Sequence, residues 1–539
     1  MNALIDHRLR RSWTADAADA AQLPVRAARW LDQRIGPVTP GAASAADVSA
    51  EIPSPKLSNS ATEALAKVVG TENVLVDAPA RLARATGLSY LDLVRRRSPR
   101  AEFPVPDAVV LPAGPDEVQA VLDVCVEHDV GVVPFGGGTS VVGGVAALRG
   151  GKTAVIALDL VRLDALVSVD AESRIAVLQA GVRGPEAERL LGEHGLTLGH
   201  IPQSYERATI GGFAATRSAG QASSGYGRFE DMVTGVRLAT PRGEWKLGVA
   251  PASAAGPDLR QLAIGSEGTL GVITEVALRV RPVPPVRHYE GYALPGWAAG
   301  VAAVRDLAQH HALADVTRLS DVDETEVSLA LNAGLKTAAL RRYLAARGVR
   351  RPCFLIVGWE GTAHDVALRR RETARRLKAA GAVRVGKALG ESWRHGRFAG
   401  PRQRDALLDR GVCVETLETA AYWSNVDELR DDVRAALTAS LGRSIVMCHI
   451  SHAYETGASL YFTVLTARDE TDPIGQWQRA KAAACEAIAG TGTISHHHAV
   501  GVDHAPYLSA EIGALGVEVL RAVKSTVDPT GILNPGKLV

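Results

Sequence analysis

Apolar positions along the 539-residue chain fall into short β-branched runs and stretches repeating near every 3.6 residues, and their order predicts the elements. Residues 1 to about 55 are polar and rich in Ala, Pro and Ser, with one amphipathic helix at Val25 to Ile35 and a linker at Gly41 to Pro55. From Ser58 the pattern is helical, with Ala61, Leu65, Val68 and Val69 on one face. Ala108 to Leu111 reads as a strand, Pro115 to His128 as a helix carrying Val118, Val121, Leu122 and Cys125, and Val132-Val133 as the next strand. Strands follow at Ala154 to Leu158 and Ile175 to Ala180, then a helix from Pro185 to His194. Pro282 to Pro285 marks a boundary. Beyond it an α+β mixture is predicted, with helices near 297–310, 324–346 and 363–380 and strands near 353–358 and 458–465. Residues 508–539 hold a helix and then Asp528-Pro529-Thr530-Gly531-Ile532-Leu533-Asn534-Pro535, and no internal repeat is found.

Two glycine-rich turns interrupt this pattern: Pro134-Phe135-Gly136-Gly137-Gly138-Thr139-Ser140 after Val132-Val133, and Gly265-Ser266-Glu267-Gly268-Thr269-Leu270-Gly271 before Val272-Ile273-Thr274. Residues without Cβ let a turn reach positive φ and close its amide N–H groups on an anion. Two such loops at strand edges suit a pyrophosphate held between two small α/β lobes rather than across one Rossmann sheet. No Lys follows Gly138, so the first loop is not a Walker A loop, and Val141 stands where a Rossmann fingerprint needs its third glycine.

The length requires two or more domains. A formal net charge of +1 excludes a nucleic-acid partner held by a global field. Arg95-Arg96-Arg97 and Arg369-Arg370-Arg371 lie in helical segments and read as solvated helix faces. The five cysteines are scattered and show no C-x-x-C spacing, which suits reduced thiols rather than a disulfide frame or zinc site. The N-terminal stretch lacks signal- or transit-peptide character, no window is apolar enough to span a bilayer, and the chain does not end in Ser-Lys-Leu. The expectation is a cytoplasmic protein.

From about Arg81 onward the motifs resemble flavoproteins of the p-cresol methylhydroxylase/vanillyl-alcohol oxidase superfamily, and within it the alkyldihydroxyacetonephosphate synthases. The resemblance is carried by the first loop, Gly199-His200-Ile201-Pro202-Gln203-Ser204, Thr209-Ile210-Gly211-Gly212, Thr216-Arg217-Ser218-Ala219-Gly220, Tyr226 to Asp231, and Gly265 to Glu275. It continues in Thr317-Arg318-Leu319, Arg404-Asp405, Glu418-Thr419, Tyr461-Phe462 and Ser495-His496-His497-His498-Ala499-Val500-Gly501. It implies an α+β fold: a PCMH-type FAD-binding domain of two α+β subdomains at 101–284 and an α+β substrate (cap) domain with a mainly antiparallel sheet at 285–505. A C-terminal segment, 506–539, closes on the FAD domain, and 1–100 is a helical and linker region.

The cofactor so implied is FAD. Its contacts fall on Pro134, Phe135, Gly136, Gly137, Gly138, Thr139 and Ser140 in the first loop and on Glu267, Gly268, Thr269, Leu270, Gly271, Val272 and Ile273 in the second. Between the loops they fall on Gln203, Ser204, Thr209, Gly211, Gly212, Thr216, Arg217, Ser218 and Ala219. Backbone amides of Gly136 to Ser140 can cradle the diphosphate, the hydroxyls of Thr139, Ser140 and Thr209 can donate to it, and Gly211-Gly212 lets backbone approach a flat ring. Some superfamily members carry a His in the first loop for covalent attachment; none stands here, so non-covalent FAD is expected.

In the synthases the flavin does no net redox work: its N5 captures the glycerone-phosphate carbon, a long-chain carboxylate leaves, and a fatty alcohol adds to form an ether. The resemblance gives Tyr461 the acid/base role, Arg404 the substrate anion and Arg318 a place near the flavin, with His496, His497, His498 and His200 as further catalytic candidates. A phenol near pKa 10 needs a cationic neighbour to serve near neutrality. If extended, the triplet alternates faces, so at most two imidazoles reach one pocket. The related D-2-hydroxy-acid dehydrogenases carry Gly-His-x-Gly-Asp-Gly-Asn-x-His and Glu-His-Gly-Val-Gly stretches suited to a divalent metal. Here His452 remains from the first, Tyr461 stands near the place of the second His, and His497 replaces the Glu, so no metal site is expected. The alternative is an FAD-linked oxidase or dehydrogenase of a D-2-hydroxy acid or alcohol. A flavoprotein reduced to a binding module is disfavoured because every matched polar position is intact. The expected partner is a small-molecule or lipid-like anionic substrate; peripheral membrane contact through that substrate and a homodimer are compatible with it.

Overall fold

Three larger sheets and one two-stranded ribbon organise the described residues, and strands of two of the larger sheets border the glycine-rich loops. The computed structural model describes residues 23–39, 52–97 and 103–539; of the expected linker, residues 41–51 lie outside the described residues. The first sheet has the order Val74–Leu75, Ala108–Val110, Ala154–Asp159, Val130–Phe135. Its last three strands are parallel, and every residue of Ala154–Asp159 is buried, as a strand covered on both faces requires. The helix Pro115–Glu127 packs Val118, Val121, Leu122 and Cys125 inward, begins with Pro115 and places Asp116 and Glu117 in its first turn, where the helix dipole favours them. The neighbouring strand Val130–Phe135 runs directly into the first loop.

The second sheet is antiparallel, in the order Leu166–Asp170, Ile175–Gln179, Val272–Arg279, Val233–Thr240, Gly243–Leu247. Its central strand, Val272–Arg279, leaves the second loop. The third sheet has seven strands, antiparallel throughout, in the order Val383–Gly386, Val286–Leu294, Cys353–Gly361, Val316–Ser320, Ser444–Ile450, Gly457–Ala467, Val412–Tyr422. The helices Trp297–Gln309, Ala363–Ala379, Val426–Leu441 and Pro473–Ile488 pack against it. The α+β class and the mainly antiparallel cap sheet are therefore as expected.

Two readings of the sequence need correction. The helix expected over 324–346 is two, Val322–Leu331 and Leu335–Ala346, parted at Asn332-Ala333-Gly334. The arginine runs are solvated only in part: Arg371 is exposed, but its neighbours, and Arg96 and Arg97 of the first run, have partners. Arg96 is 5% exposed and donates to the Thr86 hydroxyl, and Arg97 bridges Asp405 and Asp409. Arg369 and Arg370 pair with the buried Asp315 and Glu290. Carboxylates from distant elements meet these cations, which charge runs along one segment do not reveal.

Past the helix Leu508–Val527 the chain returns to the first sheet. Val132 N–H donates to Ile532 O and Asn534 N–H to Val132 O, both at 2.8 Å. Asn534 Nδ2 then donates to Gly144 O at 3.1 Å and Glu267 O at 2.6 Å, and Lys524 Nζ to Thr269 O at 3.1 Å. The tail thus ties the two glycine-rich loops together. Among the described residues, no helix is long and apolar enough to cross a membrane. Asn534 has φ 38°, in the left-handed region Asn tolerates. Asn534→Ala leaves two buried carbonyls unmatched and is expected to lower stability by about 1–3 kcal/mol, read as a lower urea midpoint; an unchanged midpoint would contradict the latch.

Candidate active site

Two glycines of the first loop are bare because the Arg207–Thr209 segment lies against them. A Cβ on Gly136 would strike Thr209 Oγ1, and one on Gly137 the Arg207 carbonyl. Gly138 has φ 61°. Ser140 Oγ accepts Gly144 N–H at 2.9 Å, which leaves its own proton free to donate. Thr209 Oγ1 accepts Gly212 N–H at 3.2 Å and is likewise free to donate. The second loop touches the first, since a Cβ on Gly268 would stand 2.7 Å from Pro134 Cγ. Ser266 Oγ is buried with no hydrogen-bond partner among the described residues. A bare, positive-φ cradle lined by donor hydroxyls and one orphaned hydroxyl fits a dinucleotide.

Not every expected cofactor contact serves that purpose. Gly211 is bare because a Cβ would stand 2.6 Å from the Ala180 Cβ, so close packing against Ala180 already requires a glycine there. Arg217 pairs with Glu230 at 2.6 Å. Leu270, Val272 and Ile273 are buried apolar residues. Thr216 Oγ1 donates to Gly212 O, and Gln203 Oε1 accepts from Gln221. Glu267 turns away from the loop: its carboxylate accepts Val500 N–H at 2.8 Å and Gly501 N–H at 2.9 Å, and burial pushes its pKa up to about 7.

Tyr461, on Gly457–Ala467, lies directly across from Glu418 on one neighbouring strand and His449 on the other, and cross-strand partners share a face. Its ring stacks on His449 at 4.8 Å. Burial pushes the Tyr461 phenol up to about 12, against a hydrogen bond to Thr416 that lowers it. The expected cation that would ease its ionisation is outweighed, and the phenol stays protonated. Arg318 donates to His449 Nε2 at 3.0 Å and to Glu324 Oε1 at 2.7 Å, and His449 Nδ1 donates to the same Glu324 oxygen at 3.1 Å. Burial raises Glu324, but Arg318 and His449 outweigh it and hold the carboxyl below its usual range. Arg404 sits on Gly400–Asp409 with Nη1 3.8 Å from Glu415 Oε1. Its buried Nε has no partner among the described residues, so the fork can still take an anion.

The histidine triplet departs from the alternation expected of an extended segment. Ser495 to His498 fold into a turn around Glu418. Its Oε1 accepts from Ser495 Oγ at 2.8 Å and from the N–H groups of His496, His497 and His498 at 3.0, 3.1 and 2.9 Å. A turn sends all three imidazoles into one cluster: His497 and His498 lie 6.0 and 5.5 Å from the Tyr461 ring, and His496 lies 5.0 Å from His452. Burial raises Glu418, yet His497, His498 and His496 hold it well below its usual range. A carboxylate does therefore accompany the triplet, arriving from another strand.

Ring nitrogens of His452, His496 and His497 lie within 4.8 Å of one another, a span a cation could bridge. Each is already engaged: His452 Nδ1 with Ser223 Oγ at 2.5 Å, His496 Nε2 with Tyr454 OH at 2.6 Å, and His496 Nδ1 with His497 Nδ1 at 2.9 Å. His200 stands apart from the phenol. Phe213 and Phe229 flank it at 4.7 and 5.0 Å, its Nε2 meets Ser218 Oγ at 3.0 Å, and burial drives its pKa down to about 3. Sequence reasoning assigned no role to His449, Tyr454 or Glu324, and Glu418 entered only as part of a matching motif. Strand register is the signal that unites His449, Glu418 and Tyr461.

Residues 106–247 match the family model described as FAD binding domain, and residues 283–538 the one described as FAD linked oxidases, C-terminal domain. The chain is 32% identical to the alkyldihydroxyacetonephosphate synthase of Dictyostelium discoideum over 86% of its own length and 78% of the relative's. A solved alkyldihydroxyacetonephosphate synthase superposes with a TM-score of 0.81 at 28% identity, covering 95% of this chain and 92% of the other. A p-cresol methylhydroxylase structure, 17% identical, shares the fold with a TM-score of 0.68, covering 89% and 96%. FAD is the cofactor of these domains, and the chain belongs to the alkyldihydroxyacetonephosphate synthase family.

Proposed function

We propose that the chain exchanges the acyl group of an acyl-glycerone phosphate for a fatty alcohol, with FAD held non-covalently. The observation that carries this is the protonated Tyr461 phenol among Arg404, His497 and His498, with Glu418 occupied by main-chain N–H groups rather than free for a metal. When bound, FAD supplies reversible covalent activation of the glycerone carbon without net oxidation. The first and second glycine-rich loops would hold its diphosphate, with Ser140 and Thr209 donating. Arg404 would grip the substrate phosphate through its unmatched guanidinium edge. The long-chain carboxylate would leave as its anion, and Tyr461 would take up the proton of the incoming alcohol as it passes on its own, so that one ester C–O bond breaks and one ether C–O bond forms. Arg318 fixes His449 as the platform on which Tyr461 stacks.

This reading uses an FAD-binding unit at 101–284, a cap at 285–505 and a closing segment at 506–539. Five buried free thiols suit a reducing, cytoplasmic setting. A lipid-like substrate would bring peripheral membrane contact with it, and a homodimer is compatible with this arrangement. One observation favours a second reading, an FAD-linked oxidase or dehydrogenase of a D-2-hydroxy acid or alcohol: the three histidine nitrogens within 4.8 Å.

Acid precipitation of the yellow holoenzyme should release FAD to the supernatant, whereas flavin retained on the denatured chain would show covalent attachment. Arg404→Ala should keep FAD but weaken the anionic substrate by about 2–4 kcal/mol; unchanged KM and kcat would remove Arg404 from the anion site. Chelators should leave activity intact, and Tyr461→Phe should abolish turnover while flavin stays bound. A chelator-sensitive enzyme whose Tyr461→Phe variant still bleaches its flavin with a hydroxy acid would establish the dehydrogenase reading.

A further inference from the structure

The proposed exchange leaves one proton over. An ester and an alcohol become an ether and a carboxylic acid, and near neutrality that acid ends as a carboxylate plus a proton. The step occurs in a buried cluster whose carboxylates are already engaged: Glu418 by backbone N–H groups, Glu415 by the Tyr90 and Thr416 N–H groups, and Glu324 by Arg318 and His449. We infer that His497, His496 and Tyr454 form a hydrogen-bonded path that carries this proton from the Tyr461 cluster to the protein surface. The path rests on the proposed reaction only for the origin of the proton; its geometry stands independently.

At its inner end, the His497 ring lies parallel to that of Tyr461 at 6.0 Å. His497 Nδ1 meets His496 Nδ1 at 2.9 Å, and His496 Nε2 meets the Tyr454 hydroxyl at 2.6 Å. Tyr454 is 36% exposed, and exposed Asp231 acts electrostatically on it. Such a chain conserves protons at every link. His497 takes a proton on Nε2 and gives its Nδ1 proton to His496 Nδ1. His496 releases its Nε2 proton to the Tyr454 oxygen, and the Tyr454 hydroxyl proton passes to water.

The groups around the chain suit brief passage rather than storage. Burial, reinforced by His497, keeps His496 well below its usual range, so a proton reaching it does not stay. Burial raises Tyr454, so it remains a hydroxyl able to accept and donate. Glu418 and Arg228 hold the chain in place: Glu418 accepts the His496 and His497 N–H groups and lies 3.4 Å from His497 Nδ1, farther than His496 Nδ1 at 2.9 Å, and Arg228 Nη2 donates to the His496 carbonyl at 2.7 Å.

The test compares the flavin-loaded wild type with Tyr454→Phe, which keeps the ring and removes the carrier oxygen. In dilute buffer the variant should turn over acyl-glycerone phosphate and hexadecanol at least roughly tenfold more slowly. Added imidazole should restore most of the loss while leaving the wild type unchanged. Wild-type turnover by the variant, or a loss that imidazole does not relieve, would overturn the path, since a packing defect is indifferent to a diffusible base. If the wild type itself fails on this ester, the proposed reaction falls. The chain is then judged without turnover, by an exchange-protected downfield imidazole N–H resonance in 15N-labelled holoenzyme. His497→Asn should erase that resonance and Tyr454→Phe should shift it; its absence would overturn the path.

Discussion

Burying an isolated carboxylate costs several kcal/mol even after the protein relaxes, so Glu418, fully enclosed, has to be met by donors. Those donors are the main-chain N–H groups of three successive histidines and the Ser495 hydroxyl, and meeting them requires the backbone to turn. The turn is what brings three imidazoles to one side. A single desolvated charge thus determines the conformation of the segment that carries most of the site's titratable groups. Replacing it with an apolar residue would free the segment to extend and scatter the rings over two faces.

The same segment is anchored a second time. Glu267, in the second glycine-rich loop, receives Val500 and Gly501 N–H, two residues beyond the triplet. Glu418 belongs to the seven-stranded sheet and Glu267 to the loop that leads into the five-stranded one, so residues 495–501 bridge both halves of the molecule. The C-terminal latch closes the arrangement, because Asn534 donates to the main-chain carbonyl of Glu267 itself. Cofactor cradle, histidine turn and tail are therefore parts of one hydrogen-bonded unit.

Much of this was legible in the sequence where local chemistry decides structure. The helices Val25–Ile35 and Pro115–Glu127 follow apolar spacing, and the glycine-rich loops lie where β-branched runs end. Cap strands were harder to read. Val412–Tyr422 and Ser444–Ile450, which the apolar pattern did not mark out, bury most residues on both faces, which erases the alternation that marks a half-buried strand. Buried partners supplied from far along the chain were not legible at all. Arg97 meets Asp405, and the histidine triplet meets Glu418, through contacts that only the register of distant elements creates. The substitution of His497 for a glutamate suggested a site without a carboxylate, yet a carboxylate enters from the facing strand.

Where that carboxylate enters decides the chemistry it allows. A metal ligand must offer a lone pair to open space, whereas Glu418 offers its lone pairs to peptide N–H groups and is kept ionised by the histidines around it. His452 and His496, held neutral by burial, and their neighbour His497 are engaged with one another, with Ser223 and with Tyr454, and so act as donors and acceptors in series. Tyr461, kept protonated by the same burial, is the group whose surplus proton such a network can carry away. The desolvation that disfavours a cation here is the property that suits the site to moving protons without moving electrons.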